Sequence, residues 1–253
     1  MEYDIRHHVP SDVGTEMKYL PPENYNMQGH LDSISTWTST NMMKLNEAKC
    51  NYLVFTRTKE NFTTRLSMNN IVMERTPYTK ILGVWISEDL SWDKNCKEIC
   101  KKAYARLGMI TKLKYVGVSR QDLLDIYILF IRSVIEYCSV SFHSSLTQDQ
   151  TDKLERIQKT CLKVILGDEY EDYESALRIS NLDTLSDRRL KRCLDFSLKC
   201  LEHPRNKRIF PRNPTYNRRI RKSEPFKVNF ANTGAYQKST VPFCQKLLNE
   251  HFQ

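Results

Sequence analysis

The chain has 253 residues, of which 40% are hydrophobic and 27% charged, a balance that supports a buried core and excludes wholesale disorder. Only 7 glycines, against 13 tyrosines and 10 phenylalanines, exclude a glycine-rich linker or barrel. The formal net charge is +9, and ten of the 39 basic residues but one of the 30 acidic residues lie between His203 and Lys238. The excess of positive charge therefore lies in residues 203–238, and the rest of the chain has equal numbers of basic and acidic residues.

The first part of the chain predicts a small α/β region, taken as residues 28–90. Residues 1–27 show no clear period, so we expect a weakly ordered leader there. Apolar spacing and β-branched residues predict a helix over 27–43, strands at 51–57 and 80–86, and a hairpin turn at Asn69-Asn70.

From residue 91 to residue 203 the apolar residues recur at helical spacing, which predicts a mainly α-helical domain. The expected helices span residues 92–114, 119–137, 154–167, 173–180 and 185–203. Residues 204–253 are rich in basic residues and proline, so we expect an irregular segment with a short terminal helix over 242–252. The predicted fold class is α+β.

The eight cysteines do not form a disulfide framework, and Met1 is followed by charged and polar residues rather than by an apolar signal. We therefore expect reduced thiols and a protein of the cytoplasm or nucleus that is not secreted. The longest apolar run, residues 123–135, contains Asp125 and Arg132 and is too short to span a bilayer. Cys96 and Cys100 lie one helical turn apart, but no second ligand pair accompanies them, so no metal site is expected.

The basic segment favours contact with a polyanion, most simply nucleic acid, through counterion release. Its candidate contacts are Arg205, Lys207, Arg208, Arg218, Arg219, Arg221 and Lys222. Four aromatic residues interleave with the charges and are candidates for stacking on bases: Tyr216, Phe226, Phe230 and Tyr236. The open alternatives are a solvated basic tail and a nuclear-import patch over residues 218–222.

Two segments in the first part resemble motifs of a known polymerase family. Residues 43–55 (MKLNEAKCNYLVF) resemble motif D of reverse transcriptases from non-long-terminal-repeat retrotransposons, and residues 78–86 (YTKILGVWI) resemble the adjoining primer grip. Short segments at residues 89–93, 101–103, 131–137 and 154–159 are similar to the thumb and following helical region of jockey-like elements. The resemblance covers residues 28–203 well and residues 204–253 loosely.

The resemblance implies roles for particular residues. Lys49 matches the motif D lysine, a general acid toward the departing pyrophosphate, and Leu82 and Gly83 match the primer grip. The helix that carries Lys97, Lys101, Lys102, Arg106, Lys112 and Lys114 would be the thumb and would grip a duplex through its phosphates. Without the resemblance, Lys49 is an exposed charge, Gly83 a tight bend and the helix a solvated amphipathic helix.

The chain also departs from that family. Its polymerases hold Mg²⁺ ions with an adjacent pair of aspartates upstream of motif D. Upstream of Trp37 this chain has only Asp4, Asp12 and Asp32, none of them adjacent. We therefore expect no metal or cofactor in this fragment, although Mg²⁺ serves the intact family enzyme, and we do not expect the fragment to be active alone.

The first hypothesis is thus a truncated RNA-directed DNA polymerase that keeps a partial palm (28–90), a helical thumb and connection (91–203) and a basic tail (204–253). Its expected partner is nucleic acid, as RNA–DNA hybrid or single strand, bound independently of sequence. The missing palm and fingers portion is a second expected partner, and no membrane is involved. The alternatives are a helical nucleic-acid- or protein-binding module without enzymatic activity, and a reading frame without a selected function.

Overall fold

The computed structural model describes residues 26–55, 65–214 and 224–252, and it divides the chain into two compact units. The first unit ends at Lys94 and the second begins at Asn95. Helices and short strand pairs both occur, which confirms the predicted α+β class. Among the described residues, no helix combines the length and the apolar character needed to cross a bilayer.

Over residues 26–55 and 65–94, the first unit contains one long helix and six short strands. The helix is α1 (Met27–Thr40), and the strands are β1 (Asn51–Tyr52), β2 (Ser67–Met68), β3 (Ile71–Val72), β4 (Glu74–Arg75), β5 (Tyr78–Ile81) and β6 (Val84–Ser87). Strands β1 and β4 pair in parallel, whereas β2 with β3 and β5 with β6 form antiparallel hairpins. The Asn26 side chain caps α1 by accepting a hydrogen bond from the Gly29 N–H at 2.8 Å.

Both hairpins turn on two residues with positive φ, the conformation that matches the twist of paired strands. Asn69 and Asn70 have φ of 49° and 64°, and the hairpin predicted there is confirmed. Leu82 and Gly83 have φ of 47° and 90° and form the turn between β5 and β6. The prediction of one continuous strand over residues 80–86 was therefore wrong, because the chain reverses in the middle of that apolar run.

The second unit is mainly helical. Its helices are α2 (Asp93–Tyr115, which begins in the first unit), α3 (Arg120–Ile126), α4 (Ser133–Ile135), α5 (Gln148–Leu166), α6 (Tyr173–Ser180), α7 (Leu185–Glu202), α8 (Gly234–Gln237) and α9 (Thr240–His251). Most of the predicted spans are confirmed to within two residues. The helix predicted over 154–167 begins earlier, at Gln148, because Thr147 and Gln150 form a capping box.

The helix predicted from Ser119 to Tyr137 contains an unexpected segment. Between α3 and α4 the backbone adopts π-helical hydrogen bonding over Tyr127–Arg132. Tyr127 and Ile131 are buried there, whereas Leu129 and Phe130 face solvent. The chain therefore remains helical as far as Ile135, but with a widened turn in its middle.

Two groups of buried side chains organise the second unit. On α5, the predicted apolar face of Leu154, Ile157, Cys161 and Ile165 is buried. A second cluster joins α7 to the segment that follows it, and consists of Cys193, Cys200, Phe210, Phe226, Cys244 and Leu248. The described parts of the basic C-terminal segment are therefore anchored to α7 by their own apolar residues.

Buried polar groups connect α5 with its neighbours. The Tyr127 hydroxyl donates to Gln158 Oε1, and Gln158 Nε2 donates to the Tyr173 hydroxyl at 2.8 Å and to the Asp183 carbonyl at 3.0 Å. The Tyr173 hydroxyl in turn donates to Glu155. Burial raises the pKa of Tyr127 well above its ordinary value, so its hydroxyl stays protonated and can donate to Gln158.

Candidate nucleic-acid interface

The two sides of α2 differ in chemistry. Its inner side buries Cys96, Ile99, Ala103 and Ile110. The opposite side, called here the α2 face, is exposed and consists of Lys97, Lys101, Tyr104, Lys112 and Tyr115. These positions differ by near-multiples of the 3.6-residue helical turn, so their side chains line up along one edge of the helix.

The three lysines of the α2 face have no hydrogen-bond or ion-pair partner among the residues that the structure describes. Tyr104 and Tyr115 present 41% and 92% of their surfaces to solvent. Gly108 lies between them, and a side chain there would meet no atom within 4 Å. The face runs for roughly 27 Å at about 1.5 Å per residue, so it can follow several phosphates of a nucleic-acid strand.

Other basic residues of α2 have internal roles. The Arg106 guanidinium donates to the Phe130 carbonyl on the π-helical segment. The Lys114 ammonium donates to the Val164 carbonyl in the last turn of α5, at 2.6 Å. Lys102 is exposed but lies off the α2 face. Of the six basic residues predicted on this helix, Arg106 and Lys114 therefore have contacts within the protein. The other four are exposed and have no partner among the described residues: Lys97, Lys101, Lys102 and Lys112.

A second exposed basic group follows α7. Arg205, Lys207 and Arg208 are all exposed on and beside the 3₁₀ turn Asn206–Ile209. The turn is held because Phe210 is buried in the core and because Gln245 Nε2 donates to the Ile209 carbonyl at 2.8 Å. The remaining predicted contacts lie outside the described residues: Arg218, Arg219, Arg221 and Lys222.

The aromatic residues predicted for stacking have different positions. Phe226 is 2% exposed and packs in the core, with the Arg212 guanidinium 5.7 Å from its ring centre, so its predicted stacking role was wrong. Phe230 is 86% exposed and is available for stacking. The Tyr236 hydroxyl accepts a hydrogen bond from Asn229 Nδ2 at 3.2 Å. Tyr216 lies outside the described residues.

The residues assigned by resemblance lie in the first unit. Lys49 is exposed at the end of the 3₁₀ turn Glu47–Lys49, directly before β1. In the same turn Glu47 accepts a hydrogen bond from Asn69 Nδ2 at 2.7 Å, which lowers the pKa of that carboxyl. Leu82 is 87% exposed and, with Gly83, forms the tip of the β5–β6 hairpin. Within the described residues, no three His, Cys, Asp or Glu side chains are grouped so as to hold a metal ion.

Sequence reasoning missed Tyr104 and Tyr115. Each follows a lysine of the α2 face by three residues, Lys101 and Lys112 respectively, so each lies beside that lysine on the helix surface. That repeated spacing is the signal by which both tyrosines could have been found.

No protein family, curated protein or solved structure matches this chain. What the chain does is therefore inferred from its own residues and their arrangement. That arrangement offers exposed, regularly spaced cations and aromatic rings, and it supplies no group with the geometry of a metal-dependent polymerase centre among the described residues.

Proposed function

We propose that the chain binds nucleic acid through phosphate contacts, independently of base sequence, as the C-terminal part of a jockey-like reverse transcriptase. The α2 face is the observation that carries this proposal. Its lysines have no partners among the described residues, and a rigid helix holds them in a row beside two exposed tyrosines. Such a row gains affinity by releasing counterions from a polyanion, and its contacts to phosphates carry no information on the base sequence.

In this proposal residues 28–90 are part of a palm, the β5–β6 hairpin with Leu82 and Gly83 is a primer grip, and α2 belongs to a thumb. Lys49 is the motif D lysine. The residues present do not fit the family's Mg²⁺ centre, because the sequence contains no two adjacent aspartates. We therefore assign no polymerase step to this chain. Its proposed location is the cytoplasm or nucleus. Its proposed partners are nucleic acid and the palm and fingers portion of the polymerase.

Fluorescence anisotropy tests the proposal. The purified full chain is titrated against a labelled RNA–DNA hybrid and a labelled single strand, each at 50 and 200 mM salt, about the range over which phosphate contacts lose affinity steeply. We expect binding that weakens with salt and does not change when the base sequence is scrambled. Folded protein that binds neither probe at the lower salt concentration contradicts the proposal.

A charge-matched pair of variants locates the interface. The first replaces Lys97, Lys101 and Lys112 with Gln on the α2 face, and the second replaces Lys191, Lys199 and Lys246 with Gln on α7 and α9, where all three are exposed. Both remove three positive charges. We expect the first variant to lose about tenfold more affinity than the second, and to show a shallower dependence on salt. Equal losses would mean that net charge alone attracts the ligand.

A protein-binding module is the second candidate, and the exposed apolar residues Leu129 and Phe130 on the π-helical segment favour it. The anisotropy titration distinguishes the two functions. A folded chain with no affinity for either nucleic acid would leave this apolar surface as the better candidate interface.

A further inference from the structure

The buried carboxylate of Glu136 forms ion pairs with two arginines that reach the surface of the second unit. Glu136, which follows α4, is 2% exposed. Arg188 Nε lies 2.5 Å from Glu136 Oε1, and a terminal nitrogen of Arg188 lies 3.2 Å from Oε2. A terminal nitrogen of Arg192 lies 2.9 Å from the same Oε2. Both oxygens of Glu136 are therefore engaged by two guanidinium groups from successive turns of α7.

A third arginine lies beside this pair. Arg132 precedes Glu136 by four residues, and its carbonyl accepts the Glu136 N–H at 2.9 Å. Burial lowers the pKa of Arg132 and the positive charge of Arg188 lowers it further, with a smaller contribution from Arg192 and opposition from Glu136. Both other cations therefore repel the Arg132 guanidinium, Arg188 more strongly than Arg192. Its side chain has no hydrogen bond to any residue that the structure describes.

The group, called here the arginine cluster (Arg132, Arg188 and Arg192), carries three positive charges against the one negative charge of Glu136. Asp183 also attracts Arg188, but it is not among the charges that act on Arg132. The cluster reaches the surface, since the side chains of Arg188 and Arg192 are 24% and 46% exposed. Cations held together at a surface without matching anions create a strong local attraction for a multivalent anion.

We propose that the arginine cluster is a binding site for a single phosphate group. The planar guanidinium fork fits phosphate oxygens in pairs, and the unpartnered donors of Arg132 with the exposed side of Arg192 supply such contacts. Glu136 is a positioning residue, because its two carboxylate oxygens hold the guanidinium groups of Arg188 and Arg192 in place. A phosphate brings about two negative charges to this excess of positive charge. The phosphate is either that of a small free compound or one in a nucleic-acid backbone, and the site does not depend on the nucleic-acid binding proposed above.

Thermal unfolding of the full chain with inorganic phosphate tests the site, with sodium chloride at equal ionic strength as the reference. A ligand that binds the folded state raises Tm with its concentration, and the concentration dependence gives Kd. The variants are Arg132→Gln and Arg192→Gln. Arg156→Gln is the control, because Arg156 is exposed on α5 and lies outside the cluster. We expect both cluster variants to weaken phosphate binding by about tenfold or more and the control to match the wild type.

Arg132→Gln is the decisive variant, since it removes one of three like charges and breaks no side-chain hydrogen bond or ion pair among the described residues, so we expect it to fold. A second arm titrates the same variants against the labelled RNA–DNA hybrid. Loss of hybrid affinity in Arg132→Gln identifies a nucleic-acid backbone phosphate, whereas loss of inorganic phosphate binding alone identifies a small free compound. Cluster variants that match Arg156→Gln with both probes overturn the site. A wild-type chain that binds no hybrid defeats the proposed function only, because the inorganic phosphate arm is independent of it.

Discussion

Arg188 and Glu136 form a two-point ion pair across 52 residues of sequence, and the pair joins the end of the α3–α4 helical run to α7. Arg188→Met removes this pair and leaves a 2% exposed carboxylate with Arg192 as its remaining cation. We expect the free energy of unfolding to fall by about 2 kcal/mol, measured by urea denaturation. Arg120→Met is the control, because its pair with Glu169 is largely exposed and contributes less than about 0.5 kcal/mol. Equal losses in the two variants would contradict the role given to Glu136.

The second prediction concerns pH. Burial, with a smaller contribution from the positive charge of Arg189, lowers the pKa of His143 from its ordinary 6.5 to about 4. Between these two values the unfolded chain binds a proton that the folded chain does not, so stability falls as pH falls from 6.5 toward 4. The full shift corresponds to about 3 to 4 kcal/mol, and solvent screening of the partly exposed ring lowers the expected effect to about 2 to 3 kcal/mol over that window.

His143→Gln removes this titration and isolates its contribution. Urea denaturation of both proteins at pH 7, 6 and 5 should show the wild type losing more unfolding free energy than the variant, with the difference growing as pH falls. Parallel pH profiles for the two proteins would show that His143 does not titrate with folding.

Arg189 provides the third prediction. Its side chain is 0% exposed, and its three guanidinium nitrogens have no hydrogen-bond partner among the described residues. Burial lowers the pKa of Arg189, which reflects the cost of holding a cation out of water. Replacing such a group with an apolar side chain of similar length relieves that cost.

We therefore expect Arg189→Met to raise the free energy of unfolding by about 1 to 3 kcal/mol, measured by urea denaturation. Arg189→Ala is the control for volume, because it also removes the charge but leaves a cavity that costs about 2 kcal/mol or more. A loss of stability in Arg189→Met as large as that in Arg189→Ala would show that the buried cation stabilises the fold.

The fourth prediction separates two lysines on one helix. Lys114 donates to the Val164 carbonyl at 2.6 Å, in the last turn of α5, whereas Lys112 belongs to the exposed α2 face. Lys114→Met should lower the free energy of unfolding by about 1 kcal/mol and leave affinity for an RNA–DNA hybrid within about twofold. Lys112→Gln should do the opposite and weaken hybrid binding without a change in stability. Denaturation and anisotropy on both variants check the pair, and a reversed pattern would contradict the assignment of the two sides of α2.

Most helices of the second unit could be predicted from the sequence, because their apolar spacing and end residues agree. Helix α6 has the predicted bounds, with the Asp172 side chain accepting from Ser175 at its start and Asn181 in left-handed conformation at its end. The π-helical segment could not be predicted. Its sequence is apolar on all sides apart from Arg132, and such a run has no period from which a wider turn can be recognised.

The candidate site could likewise be predicted from the sequence only in part. Lysines on α2 are visible in the sequence, but the separation of Lys101 from Arg106 and Lys114 depends on how α2 packs against the π-helical segment and α5. The sequence offered a tight bend at Gly83 but not the reversal of the chain at Leu82–Gly83, because a leucine within an apolar run gives no sign of positive φ. In the same way, Arg188 and Arg189 are adjacent, yet only packing shows that Arg188 pairs with the buried carboxylate of Glu136 and that Arg189 is fully buried without a hydrogen-bond partner among the described residues.

The cluster around Cys193 and Cys200 affects the order in which parts of the second unit can fold during synthesis. Cys244 and Leu248 on α9 complete this cluster, so the side of α7 that carries Cys193 and Cys200 is fully covered only after the ribosome has synthesised α9. Until then part of that side is exposed to water and to other unfinished chains, the condition under which nascent proteins aggregate. A stop codon or frameshift just before α9 should therefore be nearly as damaging as one in the middle of the second unit, although it would remove few residues.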